Sequence, residues 1–258
     1  MEKQARVERQ SRVATQSQLE RPAFYALRPG GWRDLLTLLH PPYTAWHLSY
    51  VAIGAAVAPQ LSGTRLLWTL LAFLLAVGVA AHALDELHGR PLGTEISDRA
   101  LVLLATLSLT GAVAIGAVGA ITISAWLSLF VGVGVLLVLA YNLELLGGRM
   151  HSDLWFALAW GAFPAFTGFW VQAREVRGAG LLVACACLML SVAQRKLSTP
   201  VRELRRRTSS LSGEQHLLNG ARVQLDAARI AAPMEGALMA CAAGLVLLAA
   251  GLVMARLA

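Results

Sequence analysis

The end of one long apolar run, residues 65–84, carries side chains that can bind a cation. His82, Asp85 and Glu86 stand there together, and residues three and four apart are neighbours on a helix surface. Carboxylate oxygens are ligands that Mg²⁺ takes, usually together with phosphate oxygens of a substrate. We therefore interpret Asp85 and Glu86 as metal ligands, and His82 and Asp85 as catalytic groups. The alternative is a solvated helix end that stops at the turn 89–93.

Three arginines near the ends of apolar runs are candidates for phosphate binding. Arg90 lies in the turn after the run at 65–84, and Arg149 follows the run at 123–143. Arg202 belongs to the basic stretch 194–207. A guanidinium group forms paired hydrogen bonds with phosphate oxygens. These arginines are predicted to hold a diphosphate, and Glu203, the one carboxylate within the basic stretch, is predicted as a third metal ligand. The alternative is a basic loop that remains on one side of a membrane.

Polar side chains also end the apolar run at 123–143. Tyr141 and Asn142 are polar groups at the mouth of the predicted bundle. The following run contains Gly161 and Pro164, residues that permit close packing and a kink. A kinked helix beside polar groups can enclose a cavity.

The elements that position these residues are long apolar runs. The chain has 258 residues, of which 57% are hydrophobic and 14% charged, against about 25% charged in soluble domains. A helix of roughly 20 apolar residues crosses a bilayer, and helices satisfy their own backbone groups in lipid. The sequence predicts an all-α, polytopic transmembrane helical bundle of about seven spans, at 45–61, 65–84, 100–121, 123–143, 154–172, 178–194 and 233–255.

The distribution of positive charge predicts the orientation of this bundle. Most of the 22 lysines and arginines fall in segments on the side of the N-terminus, and the exceptions are Arg65, Arg174, Arg177 and Arg256. Cytoplasmic loops are enriched in these residues. The N-terminus and the candidate site are therefore predicted at the cytoplasmic face of a plasma (inner) membrane. Residues 1–44 form a basic cytoplasmic leader with an interfacial helix near 32–39, and residues 45–258 form the membrane domain.

The net charge of +7 fits basic loops that contact anionic lipid. The sequence contains no helix-turn-helix, zinc-finger or aromatic RNA-binding motif, so membrane lipids are the expected partners and nucleic acid is not. The three cysteines, Cys185, Cys187 and Cys241, lie inside apolar runs. Their odd number and their spacing predict neither a disulfide partner nor a zinc site.

Over about residues 38–205 these motifs resemble the UbiA superfamily of membrane prenyltransferases. Asp85 matches the acidic motif that closes the second span of that family. The segment from Tyr141 to Arg149, followed by 161–164, resembles the family's tyrosine, basic loop and proline-containing fifth span. The segment 40–44 is similar to the start of its first span.

The resemblance implies a UbiA-like central cavity in which a polyprenyl group passes from a diphosphate donor to an acceptor, with Mg²⁺ held by two acidic motifs. The chain departs from this pattern, because Gln-Arg-Lys at 194–196 stands where the second motif is expected and the family usually has nine spans. We interpret the protein as a Mg²⁺-dependent prenyltransferase or as a non-catalytic relative that binds an isoprenoid or other lipid or acts as a membrane partner. As a prenyltransferase it would use Tyr141 or His82 as the catalytic group that orients the acceptor, and Asn142 would contact the substrate. A small transporter with an ion site at His82, Asp85 and Glu86 is a third interpretation.

Overall fold

The computed structural model describes residues 21–145 and 147–257. Within these residues the chain forms eight helices: α1 Trp32–Leu38, α2 Pro41–Val57, α3 Gly63–Leu87, α4 Asp98–Thr122, α5 Leu127–Asn142, α6 Asp153–Ala173, α7 Gly178–Arg206 and α8 Ala227–Leu257. Two short strands, β1 (Ser212–His216) and β2 (Arg222–Asp226), pair antiparallel between α7 and α8. This hairpin is an exception to the predicted all-α class. The first part of the predicted leader, residues 1–20, lies outside the described residues.

The long helices have the length and composition of membrane spans. Five of the described helices, α3, α4, α6, α7 and α8, are long and apolar enough to cross a membrane, and α5 is apolar but has only 16 residues. Large apolar side chains are exposed on their outer surfaces, including Ile121 (85% exposed) and Leu247 (73%). Apolar surface of this extent is suited to lipid contact. The expectation of a largely helical protein is confirmed, and five of its described helices are long and apolar enough to cross a membrane.

Helix α7 is longer than the apolar run at 178–194 that predicted it. It continues to Arg206 and contains Pro200, where the sequence predicts a basic loop. Ser191, Gln194 and Ser198 are buried at intervals of three and four residues, which is the spacing of one helix face. Because this polar face packs on the bundle, the helix persists beyond the apolar run.

Helix α2 forms the centre of the bundle and packs between α6 and α8. Trp46 and Tyr50 are almost completely buried, and the indole Nε1 of Trp46 donates a hydrogen bond to the Tyr50 hydroxyl. The Nδ1 atom of His47 lies 2.8 Å from the carbonyl oxygen of Trp160 in α6. The polar side chains of α2 are thus hydrogen-bonded inside the bundle rather than placed in lipid, as buried polar groups require.

The connecting segments gather at two opposite ends of the bundle. At one end Gln172 accepts a hydrogen bond from the backbone N–H of Ser62, at 2.8 Å. At the other end Arg205, in the last turn of α7, pairs with Glu235 of α8 and donates to the carbonyl oxygen of Arg21. Because successive helices run in opposite directions, the leader, the turn after α3 and the end of α7 all lie at this second end of the bundle.

Candidate functional site

A polar cavity with a volume of about 450 Å³ lies at the end of the bundle that carries the leader. Helices α2, α3, α5, α6 and α7 contribute to its walls, and residues 22–25 of the leader complete them. Many of the residues predicted from the sequence lie in these walls: His82, Asp85, Tyr141, Asn142, Arg202 and Glu203. The fold therefore brings together side chains from three separate parts of the chain.

Glu86 is not part of this cavity, although the sequence predicts it as a metal ligand. Its side chain is fully buried. Its carboxylate accepts hydrogen bonds from the backbone N–H groups of Leu92 and Thr94 and from the Thr94 hydroxyl, at 2.9, 2.8 and 3.0 Å. These three donors give Glu86 the role of an anchor for the turn after α3.

Two of the arginines predicted to bind phosphate also lie elsewhere. Arg90 donates to the carbonyl oxygen of Thr94, at 3.0 Å, and pairs with Asp98, so it organises the same turn as Glu86. Arg149 is exposed in the loop after α5 and does not line the polar cavity. The structure therefore separates both side chains from Arg202.

The three predicted magnesium ligands are divided between the polar cavity and the turn after α3. Asp85 and Glu203 both line the cavity, whereas the third predicted ligand, Glu86, is held by the turn. Among residues 21–145 and 147–257, no group of three or more histidine, cysteine, aspartate or glutamate side chains is arranged to hold a metal ion. Asp85 and Glu203 are thus the two carboxylates that line the cavity, and we assign no chemical step to a metal.

Asp85 is the half-buried carboxylate of the polar cavity. Within the described chain its side chain has no hydrogen bond and no ion pair, in contrast to the neighbouring Glu86. The guanidinium groups of Arg206 and Arg202 interact with it electrostatically from α7. A carboxylate in this position is free to accept a proton or a hydrogen bond from a molecule in the cavity.

The opposite wall of the cavity is strongly basic, because the extension of α7 carries Arg195, Arg202 and Arg206. Arg195 donates to Asp153 at 2.8 Å and lies over the ring of Phe156. Arg202 donates to the Thr199 hydroxyl at 3.1 Å. The sequence indicates that the basic stretch 194–207 as a whole could bind lipid head groups or a diphosphate, but it singles out only Arg202 and assigns the segment to a loop.

Arg206 completes this wall without a carboxylate partner. Its Nε donates to the carbonyl oxygen of Pro22, at 3.0 Å. Neither Arg202 nor Arg206 lies within 4.0 Å of a carboxylate oxygen in the part of the chain that the structure describes. Guanidinium groups arranged in this way favour an anion with several oxygens.

A pair of stacked imidazoles lines the wall beside Asp85. The rings of His40 and His82 are 4.0 Å apart and nearly parallel, and a ring nitrogen of His82 lies 3.1 Å from the carbonyl oxygen of Gly78. His40 precedes α2 with left-handed backbone geometry, φ 46°. Burial lowers the pKa of His40 well below its usual range, and the charges of His82 and Arg206 act in the same direction. His40 is therefore neutral at neutral pH.

Two buried polar atoms on the cavity residues have no hydrogen-bond partner within the described chain. They are Nε2 of His40 and Oε1 of Gln194. Leaving a buried polar atom unpaired costs about 1–3 kcal/mol, so such atoms are usually satisfied by water or a ligand. Both atoms support binding of a polar molecule in the cavity.

Aromatic side chains of the leader form the outer wall of the cavity, a feature that the sequence did not predict. The ring of Tyr25 contacts those of Phe24, His40 and Tyr43, with centroid distances of 5.1, 5.4 and 5.5 Å. Burial raises the pKa of Tyr25 well above its usual range. The Phe24–Tyr25 pair, placed within a polar segment, is the signal that could have indicated this docking.

Tyr141 and Asn142 are buried on the side of the cavity formed by α5. The ring of Tyr141 stacks on His151 at a centroid distance of 4.4 Å and meets Trp160 edge to face at 5.8 Å. Asn142 Nδ2 donates to the carbonyl oxygen of Val138, at 2.7 Å. The two side chains are therefore held in place by the bundle itself.

An apolar cleft with a volume of about 680 Å³ lies next to the polar cavity. It runs between α3, α4, α5 and α6, from Arg65 at the opposite end of the bundle to Val77 and Trp160. These last two residues line both the cleft and the polar cavity. Val77 and Trp160 thus form a shared wall between the cleft and the polar cavity.

Both shared residues lie in π-helical stretches. Val77 belongs to Leu74–Ala81 in α3, and Trp160 belongs to Leu158–Ala162 in α6. Such stretches are rare and are often found at functional sites. The two helices thus change their winding at the junction of the cleft and the cavity.

These features define a class of protein: a helical bundle with the properties of a membrane protein, in which a basic cavity at one end adjoins an apolar cleft. The chain matches no protein-family model, no curated protein and no solved structure. The resemblance to prenyltransferases therefore rests on the sequence motifs given above.

Proposed function

We propose that this protein binds an amphiphilic isoprenoid lipid, with its anionic head group in the polar cavity and its chain in the apolar cleft. The observation that carries the proposal is the shared wall of Val77 and Trp160 between the two spaces. The charge distribution of the loops supports seven spans with the cavity at the cytoplasmic face of the plasma membrane. A ligand with one charged end and a long apolar tail matches both spaces.

The charge of the cavity supports a phosphate or diphosphate as the head group. Arg202 and Arg206 lack a carboxylate partner in the described chain, whereas Arg195 is paired with Asp153. A bidentate guanidinium–phosphate contact combines charge and geometry, and it is about twice as strong as a neutral hydrogen bond. Four arginines line the cavity, against the two carboxylates of Asp85 and Glu203, so its lining carries a net positive charge.

The composition of the cleft supports an unbranched or isoprenoid chain. Its lining is predominantly apolar and includes aromatic rings such as those of Phe73, Phe130 and Phe163. Burial of each methylene group contributes about 0.8 kcal/mol. A chain in this cleft would also lie at the depth of the hydrocarbon, so the ligand would not need to leave the membrane.

Direct binding tests this proposal. We expect the purified protein in phosphatidylcholine nanodiscs to bind a prenyl diphosphate, and Arg202→Gln to weaken that binding by about tenfold or more, because a charge-assisted contact is lost. Isothermal titration calorimetry measures the effect, with the corresponding prenyl alcohol as the uncharged probe.

Arg149→Gln is the matched control, because Arg149 is exposed and outside the cavity. Its affinity should equal that of the wild type. Equal affinities of the wild type and Arg202→Gln, or stronger binding of the alcohol than of the diphosphate, would contradict the proposed head-group site.

Prenyl transfer is a second candidate function, favoured by the unpaired carboxylate of Asp85 on the same cavity as Tyr141. In such a reaction the allylic carbon–oxygen bond breaks and its electron pair leaves with the diphosphate, which the arginines would stabilise. The acceptor forms a new bond to the allylic carbon and releases a proton, which Asp85 is placed to accept. Tyr141 would orient the acceptor.

Transfer of label from a prenyl diphosphate into lipid-extractable product tests this second function. Membranes that contain the wild-type protein should form product, and Asp85→Asn should reduce the rate by about 100-fold or more, as loss of a general base does. Parallel reactions with and without Mg²⁺ show whether a metal contributes. Ligand binding without product, or equal rates in the variant, would leave lipid binding as the function.

A further inference from the structure

A second basic space, the outer basic pocket, lies on the same end of the protein, outside the polar cavity. It has a volume of about 640 Å³ and is formed by residues 21–29, the turn 89–93 and the end of α7. Its lining contains no aspartate or glutamate. Five arginines line it: Arg21, Arg28, Arg90, Arg205 and Arg206. The proposed function uses only Arg206 of this set.

The charges in the outer basic pocket are only partly compensated. Arg90 pairs with Asp98, and Arg205 pairs with Glu235. Arg21, Arg28 and Arg206 lie more than 4.0 Å from every carboxylate oxygen of the described chain. Guanidinium groups that share one pocket repel each other, and a bound anion removes that repulsion.

The shape of the pocket suits an anion larger than a single carboxylate. Gly89 and Gly93 have left-handed backbone geometry, with φ of 86° and 62°, and a Cβ atom at either position would meet no atom within 4 Å. This wall is therefore bare backbone that faces open space. Guanidinium groups on the other walls can each form paired hydrogen bonds to phosphate oxygens.

We propose that the outer basic pocket is a binding site for a phosphate group, separate from the head-group site of the polar cavity. The phosphate belongs either to a free anion such as diphosphate or to the head group of an anionic phospholipid. Pro22 and Arg206 line both spaces, so the two sites are neighbours divided by the leader. The inference does not depend on the chain-binding role of the cleft.

The test uses the full-length protein in phosphatidylcholine nanodiscs, titrated with inorganic diphosphate. In the double variant Arg21→Gln/Arg28→Gln, the outer basic pocket should bind diphosphate at least about tenfold more weakly than in the wild type. Binding of diphosphate in the polar cavity should be unchanged. The double variant Arg174→Gln/Arg177→Gln removes the same charge at the opposite end and should match the wild type. Arg202→Gln should weaken only the binding that belongs to the polar cavity.

The source of the phosphate is decided by lipid analysis of the same proteins. Purification from membranes that contain phosphatidylglycerol, followed by mass spectrometry, measures bound anionic lipid. A free anion is indicated if only diphosphate binding changes in Arg21→Gln/Arg28→Gln, and a lipid head group is indicated if retained phosphatidylglycerol falls. If this variant equals the wild type in both measurements, the pocket is not a phosphate site, whatever the result for Arg202→Gln.

Discussion

Gly54→Ala is expected to lower the stability of the bundle strongly for the addition of a single methyl group. Helix α2 approaches α6 so closely that a Cβ atom at Gly54 would overlap the carbonyl oxygen of Ala165 and lie 2.8 Å from its carbonyl carbon. Backbone atoms cannot turn aside as a side chain can, so the two helices must separate. Overpacking costs about 1–3 kcal/mol and sometimes more, and we expect the upper end of this range.

The measurement is the thermal unfolding midpoint of the purified protein in detergent, together with the monodisperse fraction on size exclusion. Gly168→Ala should have a similar effect, because its Cβ would lie 2.9 Å from the carbonyl carbon of Val51. Gly132→Ala in α5 is the control, since its Cβ would meet no atom within 4 Å and alanine is the better helix former. Similar midpoints for Gly54→Ala and Gly132→Ala would refute the close approach of α2 and α6.

Glu86→Gln is expected to release the turn that follows α3. The carboxylate accepts three hydrogen bonds, from the N–H groups of Leu92 and Thr94 and from the Thr94 hydroxyl. In glutamine one acceptor oxygen becomes an amide NH2 group, which donates hydrogen bonds and does not accept them, so at least one buried donor loses its partner. Loss of a hydrogen bond to a charged group costs about 1.5–3 kcal/mol.

Hydrogen exchange measured by mass spectrometry reports this change at the Leu92 and Thr94 amides, which should lose protection in the variant. The unfolding midpoint should fall as well. Glu95→Gln is the matched control, because Glu95 is exposed and its carboxylate makes no ion pair in the described chain. Unchanged exchange at Leu92 in Glu86→Gln would show that the turn is held by other contacts, such as those of Arg90.

The contrast between Asp85 and Glu86 shows where sequence reasoning reached its limit. Hydrophobic runs located the helices, because a span must be apolar whatever it packs against. The spacing also placed His82 and Asp85 on one wall of the cavity. Adjacent residues of a helix point about 100° apart, however, and the carboxylate of Glu86 is bound by the N–H groups of Leu92 and Thr94 in the turn after α3. Glu86 therefore faces the turn rather than the cavity.

The remaining walls of the cavity depend on tertiary contacts that no local pattern contains. The sequence of the stretch 194–206 predicts a charged loop, yet the stretch is helical because Gln194 and Ser198 pack on the bundle. The sequence places Tyr25 in a polar leader, yet in the structure its ring contacts those of His40 and Tyr43. Both cases require the position of a distant segment, which hydrophobic periodicity does not give.

The contacts between the leader and α7 also set an order of events during synthesis. The carbonyl oxygens of Arg21 and Pro22 accept hydrogen bonds from Arg205 and Arg206, which follow 184 residues later in the chain. At a translation rate of about 5–20 residues per second, this separation corresponds to roughly 10–40 s. Residues 21–29 therefore leave the ribosome long before their partners exist, and the cavity is completed only when α7 emerges.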